Sequence, residues 1–171
     1  MSGRPPVIVT AALDEGAFDW FEDLRQTHFP KARNVVPAHL TLFHALPGEQ
    51  EPFIAETLKA ACAWRAPMTL AVRGPWFIGR GVAYRVASEE LEALRAELAQ
   101  AFGPWLTPQD RAPITIQNKA DPAEARRLCE RLQLEFEPFD IAAEGLLVWR
   151  YLGGPWEAVA KVGFGDRAAR L

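Results

Sequence analysis

Apolar positions recur along the chain at two spacings, every second residue in some stretches and every third or fourth in others. The alternation predicts strands and helices in mixed order. Residues 5–13 are β-branched and apolar, with no charge before Asp14, and predict a buried strand. Asp14 then caps a helix over 15–28, in which Ala17, Phe21, Leu24 and His28 fall on one stripe. A proline-containing loop at 29–38 leads into an apolar run at 39–44. Beyond Pro47-Gly48 a helix is predicted over 51–64, with Ile54, Leu58, Ala61 and Cys62 on one face. The strand at 68–78 is interrupted at Gly74-Pro75, where a bulge is expected, and Gly79-Arg-Gly81 turns it into a strand at 82–86. Ser88, followed by Glu89 and Glu90, opens a helix with Leu91, Leu94, Leu98 and Ala101 on its buried stripe, and Gly103-Pro104 ends it. After a loop at 105–112 the order repeats. A strand from Ile114 is followed by a helix with Asp121 as N-cap, Pro122 at its first position and Glu124 completing a capping box. Ala125, Leu128, Cys129 and Leu132 form its apolar face. A long strand at 139–152, a turn at Gly153-Gly154-Pro155, a strand at 156–164 and a frayed tail at 166–171 complete the chain.

The resulting order, β-α-(β-α-β-β)-α-(β-α-β-β), describes an α+β protein of two similar lobes rather than a doubly wound parallel sheet. With 171 residues, 49% of them hydrophobic, the chain can bury a substantial core, and one unit spanning 1–171 is expected. No apolar run reaches the roughly 20 residues needed to span a bilayer and the first residues lack an apolar stretch, so a cytoplasmic protein without a membrane partner is expected. Cys62 and Cys129 lie far apart on separate predicted helices and read as small buried hydrophobes, matching neither a disulfide framework nor a metal cluster. A net charge of −3 excludes a protein that coats DNA through bulk positive charge, while leaving room for a local basic groove.

The candidate chemistry lies in Pro37-Ala-His-Leu-Thr-Leu-Phe-His-Ala45. In an extended strand His39, Thr41 and Phe43 share one side, and Leu40, Leu42 and His44 the other. An imidazole beside a hydroxyl suits a phosphate oxyanion, although a lone His-x-Thr more often marks a hydrogen-bonded strand histidine of no chemical consequence. The pattern recurs about half a chain later in Pro113-Ile-Thr-Ile-Gln-Asn-Lys119. Here parity places Thr115, Gln117 and Lys119 on the groove side and Ile114, Ile116 and Asn118 against the core. Pro113 stands where the first copy has His39. Lobes related by a pseudo-twofold axis would bring His39/Thr41 and Pro113/Thr115 together across one central groove. His28, on its helical stripe, reads as a packed helix-end residue, and Arg33 in the loop before the motif as a solvated arginine or a phosphate contact.

These motifs resemble those of the 2′-5′ RNA ligase family within the 2H phosphoesterase superfamily. The resemblance also takes in Gly79-Arg-Gly-Val-Ala-Tyr84, Trp105-Leu-Thr-Pro-Gln-Asp110 and the segment from Trp149-Arg-Tyr151 to Gly153-Gly-Pro-Trp156, and so nearly the whole chain. It implies duplicated antiparallel sheets with flanking helices around a central groove, and a reaction without metal or cofactor at an RNA-type phosphodiester, either a 2′,3′-cyclic phosphate or a 2′-5′ linkage. His39 would be one acid/base, Thr41 and Thr115 would bind phosphate, and Lys119, Gln117, Tyr84 and Arg33 are candidate groove contacts. The partner implied is an RNA end or a small nucleotide. The second acid/base is absent at Pro113. Catalysis is therefore expected to be impaired, with Lys119 or Tyr84 as substitute acids, or lost in a pseudoenzyme that still binds phosphate, or the groove is given over to another ligand.

Overall fold

The described residues of this computed structural model, 3–106 and 113–165, hold seven strands, four α-helices and three short 3₁₀ turns. The strands are β1 (Val7–Leu13), β2 (Thr41–Leu46), β3 (Met68–Phe77), β4 (Val82–Ala87), β5 (Ile114–Gln117), β6 (Phe139–Tyr151) and β7 (Trp156–Gly163). The helices are α1 (Glu15–His28), α2 (Glu51–Cys62), α3 (Glu89–Phe102) and α4 (Pro122–Glu135). Thr107-Pro-Gln-Asp110 of the expected pre-motif loop, the two residues after it and the tail 166–171 lie outside the described residues. Among the described residues no helix is long and apolar enough to cross a membrane.

The capping residues act as expected. Asp14, Ser88 and Asp121 accept the backbone N–H three residues on, satisfying donors that have no partner within their helix. Asp14 has a second role: its other carboxylate oxygen takes the Ala142 N–H at 2.7 Å while its own N–H bonds the Ala142 carbonyl. The start of α1 is thereby fixed near the start of β6.

All strand pairs are antiparallel, in the order β2-β1-β6-β3-β4-β5, with β7 also on β6. Strand β6 is long enough to serve two neighbours. Its first residues pair with β3 and its last with β7, while β1 runs along it from Ala143 to Arg150. Where the partner changes, Gly145 is obligatory, because a Cβ there would lie 2.3 Å from the Val162 carbonyl oxygen. The sheet is thus continuous, and each half draws on both repeats. β2 joins β1, β6 and β7, whereas β3 and β4 join β5. A motif strand therefore does not share a half-sheet with the strands that follow it in sequence. Helices α1 and α4 lie against β3, β4 and β5, and α2 against β6 and β7. The core between helices and sheet includes Val7, Val9, Leu46, Ile54, Leu58, Leu94, Leu98 and Leu146, each at most 1% exposed. Arg150 ties α2 to the sheet, forking onto both Glu51 oxygens at 2.9 and 2.7 Å and reaching Glu157 of β7 at 2.9 Å.

The motif strand β5 is located by a glycine. A Cβ on Gly81 would sit 1.7 Å from the Gln117 carbonyl oxygen, and neither backbone can yield without breaking the β4–β5 ladder. Gly81→Ala should destabilise by about 1–3 kcal/mol or more, the scale of an unrelieved clash, whereas Gly79→Ala, with nothing within 4 Å, should lose only through its φ of 93°. Chemical denaturation of the two variants measures the difference.

Candidate functional site

His39 and Thr41 reach one face by different routes. The Ala11 N–H bonds the Leu40 carbonyl at 2.9 Å, holding the approach to β2 against β1, and Thr41 pairs with Thr10. Paired residues point the same way. Thr10 accepts the Trp149 Nε1–H at 3.0 Å, Trp149 meets the Trp156 ring at 5.8 Å, and Trp156 lies 4.5 Å from the His39 ring. The His39 imidazole therefore stands on the Thr41 side of the sheet, beside the Trp156 ring. This face also carries a cavity of about 500 Å³, lined in part by Thr10, Ala38, Trp149 and Lys161 and by Glu15 and Phe18 of α1.

Simple alternation fails beyond Thr41. The register with β1 slips twice, leaving one extra residue between Thr41 and Phe43 and another between Phe43 and Leu46, with Ala45 at φ 58°. Each bulge reverses parity. Phe43, expected beside His39, instead turns into the core, edge-on to Phe102 at 5.5 Å, and His44, expected inward, is exposed.

In β5, Ile114 and Ile116 are fully buried and Thr115 is half-buried, paired with Ala83. Trp76 pairs with Ala83 in turn and holds Arg85 over its ring at 4.4 Å, so Thr115, Trp76 and Arg85 share a face. A bulge at Ile116 corrects the remaining expectations here. Gln117, expected on the Thr115 side, pairs with Val82 and is 6% exposed, donating to the His28 carbonyl at 3.4 Å while its Oε1 is buried without a partner among the described residues. Lys119 follows in a left-handed turn, φ 59°, with an exposed side chain. Tyr84 pairs with Ile114 and so points to the helix side, buried among Trp20, Phe21 and Phe136, with burial pushing its phenol up to about 12. It cannot serve the Thr115 face. Arg33 lies exposed on a short 3₁₀ turn, and Pro113 is half-buried immediately before β5.

The residue that sequence reading missed is Arg25, only 2% exposed. Its Nε and Nη2 donate to Asn34 Oδ1 at 3.1 and 2.9 Å, its Nη1 donates to the Thr115 carbonyl at 3.0 Å, and its guanidinium lies 4.3 Å over the Phe29 ring. One signal was available: Arg25 follows Ala17 and Phe21 at intervals of four, inside an otherwise apolar stripe. A counterpart stands at the other motif strand, where Arg95 Nε donates to the Leu42 carbonyl at 3.3 Å.

Electrostatics set the state of His39. Burial, assisted by the charge of Arg25 and opposed by the Pro37 hydrogen bond, pushes its pKa down to about 4. The neutral ring donates from Nδ1 to the Pro37 carbonyl at 2.8 Å, which leaves Nε2 with its lone pair. Arg25 is itself pushed down by burial, in part offset by Glu22 one turn earlier. Among the described residues no three His, Cys, Asp or Glu side chains gather to hold a metal ion.

Two outcomes test this arrangement. Arg25→Met leaves Asn34 and the Thr115 carbonyl short of their donor and should cost about 2–4 kcal/mol of stability; Arg25→Lys should restore little, because an ammonium cannot reproduce the fork. Because the folded-state pKa of His39 lies below the unfolded value of 6.5, the unfolded chain binds the extra proton. The contribution of His39 is therefore fully present above about pH 6.5 and is lost as pH falls towards 4. Denaturant titrations of wild type and His39→Gln across that window should show a shallower acid loss in the variant.

The model of the 2′-5′ RNA ligase superfamily matches residues 13–155. Among solved structures, TT0787 of Thermus thermophilus is similar with a TM-score of 0.66 at 17% identity, covering 94% of this chain and 98% of that one. E. coli LigT complexed with NADP+ gives 0.62 at 18%, covering 95% and 99%, and LigT complexed with 3′-AMP gives 0.61 at 18%, covering 94% and 98%. No curated protein matches the sequence. With its fold shared along almost the full length and the family model spanning most of the chain, this protein belongs to the 2′-5′ RNA ligase superfamily.

Proposed function

We propose that residues 1–171 act as one cytoplasmic domain of two intertwined lobes that binds the phosphodiester of an RNA end or small nucleotide between His39, Thr41 and Thr115, with impaired turnover. The observation that carries this reading is the pairing of a neutral imidazole, its Nε2 left open by the Pro37 bond, with a hydroxyl on the same face of the sheet. Similar LigT structures are complexed with 3′-AMP and with NADP+, and each of these ligands carries phosphate.

The steps follow from the side chains. His39 Nε2 takes the proton of an attacking water or hydroxyl, and the Thr41 and Thr115 hydroxyls donate to the non-bridging phosphate oxygens as charge builds on them. No metal or cofactor enters this scheme. The leaving oxygen needs a proton, and Pro113 cannot give one. Nor does free His39 cover both roles at neutral pH, since a group with a pKa of about 4 is almost wholly unprotonated there and can act only as base. A second reading, favoured by Pro113 alone, is a pseudoenzyme that binds the same phosphate without turnover.

Pro113→His places an imidazole at the vacant position and should raise hydrolysis of a 2′,3′-cyclic nucleotide by about 10²- to 10⁴-fold, the usual contribution of one acid/base group. Robust wild-type turnover would instead mean that another residue supplies the second proton. Binding has its own check. His39→Ala and Thr41→Ala should each weaken 3′-AMP binding by about 1–3 kcal/mol in calorimetric titration, and unchanged affinity in both would place the nucleotide elsewhere.

A further inference from the structure

On the side of the sheet opposite Thr115, helices α1 and α4 and the start of β6 border a cavity of about 790 Å³. Four aromatic rings line it in a closed circuit. Trp20 meets Phe139 at 4.9 Å and Tyr84 at 5.3 Å, and Phe136 meets Tyr84 at 6.0 Å and Phe139 at 6.2 Å. Trp20 keeps 40% of its surface exposed.

Solvent-exposed carboxylates line the same cavity. Asp23 comes from α1, Glu135 from the end of α4, Glu137 from the turn after it and Asp140 from β6, and among the described residues no lysine, arginine or histidine lines the cavity. None of the four forms an ion pair with a described residue. Asp14 also lines the cavity, but both its oxygens are committed to the Ala17 and Ala142 amides. A further observation is independent of this charge. Tyr84 is 2% exposed, lines the same cavity, and among the described residues its hydroxyl has no hydrogen-bond partner.

We propose that this cavity is a binding site for a small aliphatic polyamine. Ring faces attract ammonium groups and accept the methylene body between them, the carboxylates compensate the charges, and the Tyr84 oxygen can accept an ammonium N–H. The four carboxylates are exposed to solvent and need no partner, but several ammonium groups along one chain can meet more than one of them at once, across three elements and the turn between two of them, which a singly charged ligand cannot. The volume falls within the range of about 300–1,000 Å³ usual for small-molecule sites. This site is distinct from the His39 face. Strand β4 is the wall between them, with Tyr84 turned to the cavity and Ala83, its neighbour, paired with Thr115.

Calorimetric titration of the full chain with spermidine at low ionic strength tests the assignment, with Trp20 fluorescence as a second readout. Saturable one-to-one binding is expected. Glu137→Gln combined with Asp140→Asn should weaken it about tenfold, and Trp20→Leu about fivefold. Glu89→Gln with Glu90→Gln, which changes the net charge equally but on α3, should leave it unchanged. Circular dichroism melts establish that each variant is folded. The proposal is overturned if no saturable binding occurs, if the α3 pair weakens binding as much as the cavity pair, or if a lysine-rich peptide or choline binds the cavity while spermidine does not.

Discussion

Arg25 is the contact on which the arrangement of the two motif strands depends. Strand β5 is four residues long and lies at the edge of the sheet, so one side of its backbone faces no neighbouring strand. The guanidinium takes the Thr115 carbonyl there and clamps Asn34, in the loop that leads to His39, with its other arm. At the opposite edge Arg95 takes the Leu42 carbonyl of β2. The helix that precedes β2 in sequence thus anchors β5, and the helix that precedes β5 anchors β2. Edge strands usually need some such cover. Here the cover also links each repeat to the motif of the other.

Burying Arg25 carries a desolvation cost, visible in the lowering of its own pKa, and the charge of Glu22 offsets only part of it. Its donors are nonetheless spent on fixed oxygens rather than on water, and a planar fork suits that task better than an ammonium. Burial keeps His39 neutral, and the same Arg25 charge assists it. A neutral imidazole whose Nε2 keeps its lone pair, on the same face as the Thr41 hydroxyl, is equipped to act as a base and not as an acid. Arg25 thus holds the loop that leads to His39 through Asn34, the Pro37 carbonyl orients the ring, and burial sets its protonation state.

Most of the fold was legible in the sequence, for local reasons. Asp14, Ser88 and Asp121 announce helix starts through capping chemistry that needs no tertiary context, and the observed strands follow the apolar runs closely. The site was legible only as far as alternation held. His39 with Thr41, and Ile114 with Ile116, follow it. Phe43, His44 and Gln117 do not, because bulges near Leu42, Ala45 and Ile116 each reverse parity, and no turn residue in the sequence marks them. Tyr84 was misplaced for a different reason: it neighbours Ala83, the residue that pairs with Thr115, and so occupies the other face by necessity. Arg25 was missed because its partners are a distant backbone carbonyl and a loop asparagine, which no periodicity records.

The central claim is that His39 presents an open Nε2 to a bound phosphate. Nitrogen-15 NMR of the imidazole during titration with 3′-AMP tests it most directly. The account predicts that Nδ1 remains the protonated nitrogen throughout, that the Nε2 resonance moves with saturation, and that the pKa of His39 rises from about 4 when the phosphate binds. Saturable binding of 3′-AMP with both ring nitrogens of His39 unmoved would contradict it.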